Sequence, residues 1–394
     1  MKHFYAFLLN ILILSTVIFI QHSPSSTSEA SEGDAPFYIG VTFCGNTTAE
    51  AKLLIDRVKD YTNLFVLQSG PISKNETAIN EICDYAIDSG LKIIVYFGWF
   101  DHDHPWQIPW LDYAKQRWQE NFLGVYYYDE PGGIQIDYNW SRMFNRIKQQ
   151  NSTMYQEFAP TIESYLQGTL PRDYDEAAEH FINFLQNNPD LNELKNRSIT
   201  TFTSDYALYW FDYLGGYDVV FAEYGWNNSI VQETALVRGA AQMQNKSWGA
   251  IITWRYNDAP YLDTGENIYS QMRTAYEAGA EYVVIFNYPQ VGDNSYGVML
   301  DEHFDALERL WNEIKSKQEI SRDLSNPEKL LVLPKNYGYG MRHPDDKIWY
   351  WGSDQETIQI WEQTRQIVQE YGLKLNIVYP NPYFPEANEH VIVL

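Results

Sequence analysis

Only two cysteines, Cys44 and Cys83, occur in 394 residues. Two thiols can close one disulfide outside the cell, but they supply neither a disulfide framework nor a zinc site. Basic charge is also scarce: 28 Lys and Arg stand against 52 Asp and Glu, a formal net charge of −24, with the acids scattered along the chain. Without a basic footprint, nucleic acid is excluded as a partner and anionic membrane surfaces are disfavoured. The first apolar run is not followed by Gly-x-Gly-x-x-Gly, so the dinucleotide fingerprint is missing. No Gly-x-Ser-x-Gly elbow occurs and neither cysteine has a His nearby in sequence, which leaves Ser-His-Asp and Cys-His chemistry little support. No cofactor and no metal are expected.

Aromatic residues are plentiful: 31 Tyr, 19 Phe and 13 Trp, 16% of the chain. Rings with polar tips grip wet ligands with apolar faces, such as sugars, and they also fill cores. Residues 4–20, FYAFLLNILILSTVIFI, form an apolar stretch behind Lys2 and His3, and the following HSPSSTSEASEG is polar and Ser-rich. Residues 1–22 therefore read as an export signal or an N-terminal membrane anchor, at the short limit for a bilayer span, and residues 23–36 as a linker. Asn-x-Ser/Thr triplets at Asn46, Asn75, Asn139, Asn151, Asn196, Asn227 and Asn245 accompany that segment. Together they imply a glycosylated protein, secreted or held at the cell surface.

Beyond the linker, apolar runs alternate with stretches of helical spacing. Strands are expected at 37–43, 63–68, 91–97, 122–128, 199–204, 217–223, 248–254 and 281–287. Helices are expected near 49–60, 78–89, 110–120, 207–214, 230–244, 268–278 and 302–315. After the fourth strand, residues 134–198 read as a helical insertion with helices near 140–150, 154–167 and 174–187. Eight such strands predict an α/β protein of the (β/α)8 barrel type over residues 37–320. A strand, a helix near 357–371 and a strand at 373–379 then predict a small α/β lobe over 326–394.

The fourth run, FLGVYYYDEPGG, stops on adjacent carboxylates and a turn that cannot continue a strand. Active sites of parallel α/β folds gather at the carboxyl ends of strands, which singles out Asp129 and Glu130. If the strand stays extended they point to opposite sides, so a second inward acid must come from elsewhere. FAEYGW offers Glu223 at the end of the sixth run. The other strand ends contribute Tyr96, Trp99 and Asp101 after strand three and Tyr128 at strand four. Strand six adds Tyr224 and Trp226, strand seven Trp254, Arg255 and Asp258, and strand eight Asn287 and Tyr288. Acids and aromatics with one Arg suit a carbohydrate, and two carboxyl groups are what glycosidic cleavage needs.

YYYDEPGG at strand four, with the Glu closing strand six, resembles the spherulin-4-like glycoside hydrolases of family 135 and their relatives in family 114. The resemblance implies a (β/α)8 enzyme acting on galactosamine-containing polysaccharides, with Asp129 and Glu223 as catalytic acids and Glu130 beside them. On that reading Asp129 is nucleophile or transition-state stabiliser, Glu223 the general acid/base, and Glu130 an orienting partner. The long insertion and the C-terminal lobe depart from those smaller enzymes.

Two other classes compete. Asp101-His102-Asp103-His104 suggests a metal-dependent polysaccharide deacetylase or amidohydrolase, although adjacent residues rarely face one ion. A non-catalytic surface barrel that binds glycan is the third, and it has no need of the three acids.

Overall fold

Strands that are apolar on both faces must be covered on both, and a closed barrel wrapped in helices does this. The computed structural model describes residues 36–136, 172–289, 294–316, 320–380 and 390–394. Its barrel strands are β1 (Tyr38–Phe43), β2 (Leu64–Leu67), β3 (Lys92–Phe97), β4 (Phe122–Tyr127), β5 (Thr201–Asp205), β6 (Val219–Tyr224), β7 (Ser247–Ile252) and β8 (Tyr282–Ile285). All pair in parallel with their sequence neighbours, and β8 returns to β1 with Tyr38 opposite Tyr282. The expected (β/α)8 barrel is the observed fold.

Alternation along the strands separates two cores. Leu64, Val66, Ile94, Tyr126, Phe202, Val219, Phe221, Ile251 and Val284 fill the barrel interior. Ile39, Val41, Phe65, Val95 and Val220 face the surrounding helices. Gly124 in β4 is explained by proximity, since a Cβ there would overlap the carbonyl of Thr200 in the entry to β5.

The helices are α1 (Thr48–Val58), α2 (Glu76–Asp88), α3 (Gln107–Trp118), α4 (Pro131–Ile136), α5 (Tyr174–Gln186), α6 (Pro189–Asn196), α7 (Tyr209–Gly215), α8 (Ile230–Met243), α9 (Gly265–Glu277) and α10 (Asp301–Ser316). Their starts follow capping chemistry: Thr47 and Glu50 form a reciprocal box at α1, and Asn75, Asp173 and Thr264 cap α2, α5 and α9. Helix α6 was not expected. Asn188 accepts the N–H groups of Asp190 and Leu191, and Pro189 sits at the first helical position, so a new helix starts where the periodicity of α5 ends. The expected helices at 140–150 and 154–167 lie outside the described residues, as does the apolar segment 4–20. Among the described residues no helix is long and apolar enough to cross a membrane.

Past the barrel, β9 (Lys329–Val332), α11 (Gln355–Tyr371) and β10 (Leu375–Val378) form the expected strand, helix and strand. A further strand, β11 (Val391–Val393), completes a parallel sheet in the order β10-β9-β11. Arg238 of α8 ties this sheet to the barrel. Fully buried, it donates to Asn376 Oδ1 at 2.8 Å and to the carbonyls of Leu324, Leu373 and Leu375 at 2.5, 2.7 and 2.9 Å. Cys44 and Cys83 are both free thiols, the second buried on α2, so no disulfide forms between them.

Candidate active site

The chain leaving β4 does not stay extended. Tyr128 and Glu130 have φ of 53° and 52°, left-handed values that non-glycine residues adopt only when held there. Neighbouring strands hold them. The Tyr128 N–H donates to the Phe97 carbonyl at 3.3 Å and the Glu130 N–H to the Ser204 carbonyl at 3.0 Å. The Thr203 hydroxyl donates to the Tyr128 carbonyl at 2.6 Å. Two reversals in three residues cancel strand alternation, so the extended strand on which opposite directions for Asp129 and Glu130 depended is not present, and both acids lie by Glu223.

Glu223 is inward by ordinary parity, two residues past Phe221, and Ser204 is inward by the same rule, two past Phe202. The Ser204 hydroxyl lies 2.7 Å from Glu223 Oε1 and 3.3 Å from Asp129 Oδ1, and this shared partner keeps the two carboxylate oxygens within about 6 Å of each other. Tyr126 donates its hydroxyl to Asp129 and lies 2.8 Å from Ser204 Oγ. Glu130 shares a side-chain hydrogen bond with Glu223. Asp129 and Glu223 thus meet at Ser204, with Tyr126 on Asp129 and Glu130 on Glu223.

Their charges cannot all be expressed at once. Burial pushes Glu223 up to about 8 and the neighbouring Asp129 charge adds to it, against the hydrogen bonds it shares with Ser204 and Glu130. Asp129 is also raised by burial, but the Tyr126 and Ser204 hydroxyls stabilise its ionised form. Glu223 therefore holds its proton near neutrality, and the two hydroxyls favour the ionised form of Asp129, a division set by their surroundings. Burial and the Asp129 charge hold the Tyr126 phenol well above its ordinary range, so it remains a donor.

The other candidates are spread around the mouth. Tyr96 packs 5.5 Å from Tyr126 between ring centroids, and burial together with the Asp129 charge raises its pKa. With Trp99, Asp101, Lys74 and Gly98 it lines a pocket of about 390 Å3. Trp99 is 61% exposed. Trp254 is the hub of an aromatic wall, 6.1 Å from Trp226, 5.0 Å from Tyr261 and 5.0 Å from Tyr288, and its buried indole N–H has no partner among the described residues. Tyr288 and Asn287 border a second pocket of about 470 Å3 between the ends of β1 and β8.

Two expectations, Tyr224 and Asn287, need correction, and the surroundings of the other candidates are as follows. Tyr224 is buried with its hydroxyl against Thr234 of α8, on the helix-facing side of β6, and cannot reach a ligand in the mouth. Asn287 uses its side-chain carbonyl to receive the N–H groups of Val298 and Met299, so it organises a loop. Asp101 receives the Asp103 N–H at 2.9 Å and pairs with His104 at 3.3 Å and Lys74 at 3.7 Å, which makes it a turn residue on the pocket rim. Arg255 is paired with Asp263 at 3.1 Å, Asp258 is exposed in the adjoining turn, and Tyr128 is half-buried against the outer core. Among the described residues no three His, Cys, Asp or Glu side chains are grouped to hold a metal, the 101–104 run included.

Sequence reasoning missed Ser204, Tyr126 and Asp205. Parity could have found Ser204, the polar residue closing an inward row. Tyr126 was hidden in a run of three tyrosines, and Asp205 faces away from the barrel axis.

No family model matches the chain, and no curated protein matches it. The spherulin-4 resemblance therefore rests on its two motifs. Solved structures do match. GH5_18 from Streptomyces cattleya, solved in complex with GlcNAc, is 11% identical over 87% of this chain and 93% of that one, with a TM-score of 0.50. The GH99 endo-alpha-mannosidase from Bacteroides thetaiotaomicron is 10% identical over 69% and 80%, TM-score 0.40. An endo-1,4-beta-mannanase from Rhizomucor miehei is 10% identical over 72% and 95%, TM-score 0.41. At 11% identity the first of these establishes fold alone: the chain is a (β/α)8 barrel.

Proposed function

We propose that the chain is an exported glycoside hydrolase that cleaves an amino-sugar-containing polysaccharide or glycan with two carboxylates. The observation that carries this reading is the pair Asp129 and Glu223, joined through Ser204 at the carboxyl ends of β4 and β6. Glu223, protonated near neutrality, donates its proton to the leaving glycosidic oxygen. Asp129, ionised and held by Tyr126 and Ser204, attacks the anomeric carbon. Glu223, now a carboxylate, then takes a proton from the water that releases the sugar from Asp129, and both groups return to their starting state. A carboxyl separation near ~5.5 Å suits this retaining route, whereas inversion needs ~6.5–9.5 Å.

Trp99 on one side of the mouth and the wall of Trp226, Trp254 and Tyr288 on another supply faces on which sugar rings stack. The amino-sugar preference follows the spherulin-4 resemblance. Export follows the apolar segment at 4–20, and the described triplet asparagines, Asn46, Asn75, Asn196, Asn227 and Asn245, are all exposed, as glycan acceptors must be. The test is release of reducing ends from a panel of galactosamine, glucosamine and neutral polysaccharides by the intact protein and by Asp129→Asn and Glu223→Gln. Cleavage of one polymer that both substitutions abolish supports the reading; full activity in either variant removes that residue from the mechanism.

A further inference from the structure

The Pro131-Gly132-Gly133 turn after the two acids has a counterpart seventy residues on. Asp205, the last residue of β5, is fully buried and faces away from the barrel axis. Its carboxylate receives the N–H of Gly132 at 2.5 Å and of Gly133 at 2.7 Å, and also those of Tyr206 at 2.8 Å and Ala207 at 3.2 Å. Four backbone donors on one carboxylate lock two chain segments together. Both glycines are needed for this closeness: a Cβ on Gly132 would come within 2.7 Å of Leu208 Cβ and 2.8 Å of the Ala207 carbonyl, and one on Gly133 would overlap the Tyr206 ring. Glu130, directly before this turn, carries the left-handed φ that brings its carboxyl to Glu223.

We propose that Asp205 is a positioning residue for the reaction, clamping the backbone of Gly132 and Gly133 so that Asp129 and Glu130 are presented together to Glu223. The proposal rests on the glycosidase reading for its effect on rate, but the clamp itself is a property of the fold. Asp205 also has electrical neighbours on every side. Glu130 leaves β4, Glu223 lies on β6, Tyr209 and Asp212 belong to α7, and Glu233 to α8, with Tyr128 and Tyr217 close by. Asp212 is fully buried next to it, and burial followed by the Asp205 charge pushes its carboxyl well above the usual range.

Asp205→Asn keeps the shape while replacing one acceptor by an NH2 that confronts a backbone N–H. In the full chain, kcat on the polymer cleaved by the wild type is expected to fall by about 10- to 100-fold with KM changed far less, as misplacement of reacting groups predicts. Carboxyl carbon NMR reads the clamp without activity. Removing the Asp205 charge should move the Glu223 midpoint to lower pH, and the Gly132 and Gly133 amides should lose protection from exchange. Asp212→Asn, which leaves all four N–H bonds in place, should keep kcat within about threefold.

A wild-type Glu223 titration with wild-type kcat in Asp205→Asn would overturn the proposal, as would an equal loss in Asp212→Asn. Should Asp205→Asn not fold, Gly133→Ala tests the same contact: activity is expected to fall and to recover when Tyr206→Ala makes room, and an undisturbed Gly133→Ala refutes the clamp. If the wild type cleaves no polymer, the glycosidase reading fails while the NMR result still decides the clamp.

Discussion

Replacing Ser204 by Ala removes one hydroxyl from the point where the two strand-end acids meet. It takes a 2.7 Å bond from Glu223 and a 3.3 Å bond from Asp129, and it leaves the Tyr126 hydroxyl with Asp129 alone. A hydrogen bond to a charged group contributes about 1.5–3 kcal/mol. The bond to Asp129, the acid whose ionised form attacks, therefore predicts a loss of about 10- to 100-fold in kcat/KM. The direction on the pH axis also follows, because the single Ser204 proton, donated to Asp129, favours its ionised form. Without it, the acidic limb of the kcat/KM profile should shift to higher pH. Initial rates of reducing-end release across pH 4–9 measure both effects, with a thermal melt confirming that the variant folds. An unchanged profile with wild-type kcat/KM would refute the idea that Ser204 links the acids.

Further outcomes follow from the same geometry. Stability should fall as pH rises from the ordinary carboxyl range to about 8. Buried Asp205 (about 7), Glu223 and Glu233 (both about 8) keep their protons in the folded state and release them at lower pH when unfolded, on the order of 1 kcal/mol per pH unit for each group. Urea melts at pH 5 and pH 8 test this, and greater stability at pH 8 would contradict it. Arg238→Ala strands three backbone carbonyls and Asn376 and should destabilise the fold by about 3–5 kcal/mol, read from the same melts. Trp99→Ala should raise KM for the polymer with little change in kcat, since an exposed ring contributes uniform binding.

Much of this was legible in the sequence because barrel strands are apolar on both faces and end in turn residues. Asp129, Glu130 and Glu223 could be singled out since each closes such a run. What was not legible depended on the third dimension. The left-handed Tyr128 and Glu130 look like ordinary strand residues until Phe97, Thr203 and Ser204 are seen to hold them. Parity sends Tyr224 outward once Glu223 is known to face inward, an argument available beforehand that outweighs its attractive place in an aromatic motif. Asn188-Pro189 carried a helix start that was overlooked beside the stronger periodicity of α5.

Whether Asp129 and Glu223 act on one sugar bond is read from reducing-end release by wild type, Asp129→Asn and Glu223→Gln on the same polymer. Turnover by the wild type and a loss of at least about 1,000-fold in each folded variant are expected. Wild-type turnover by either variant would contradict that joint action.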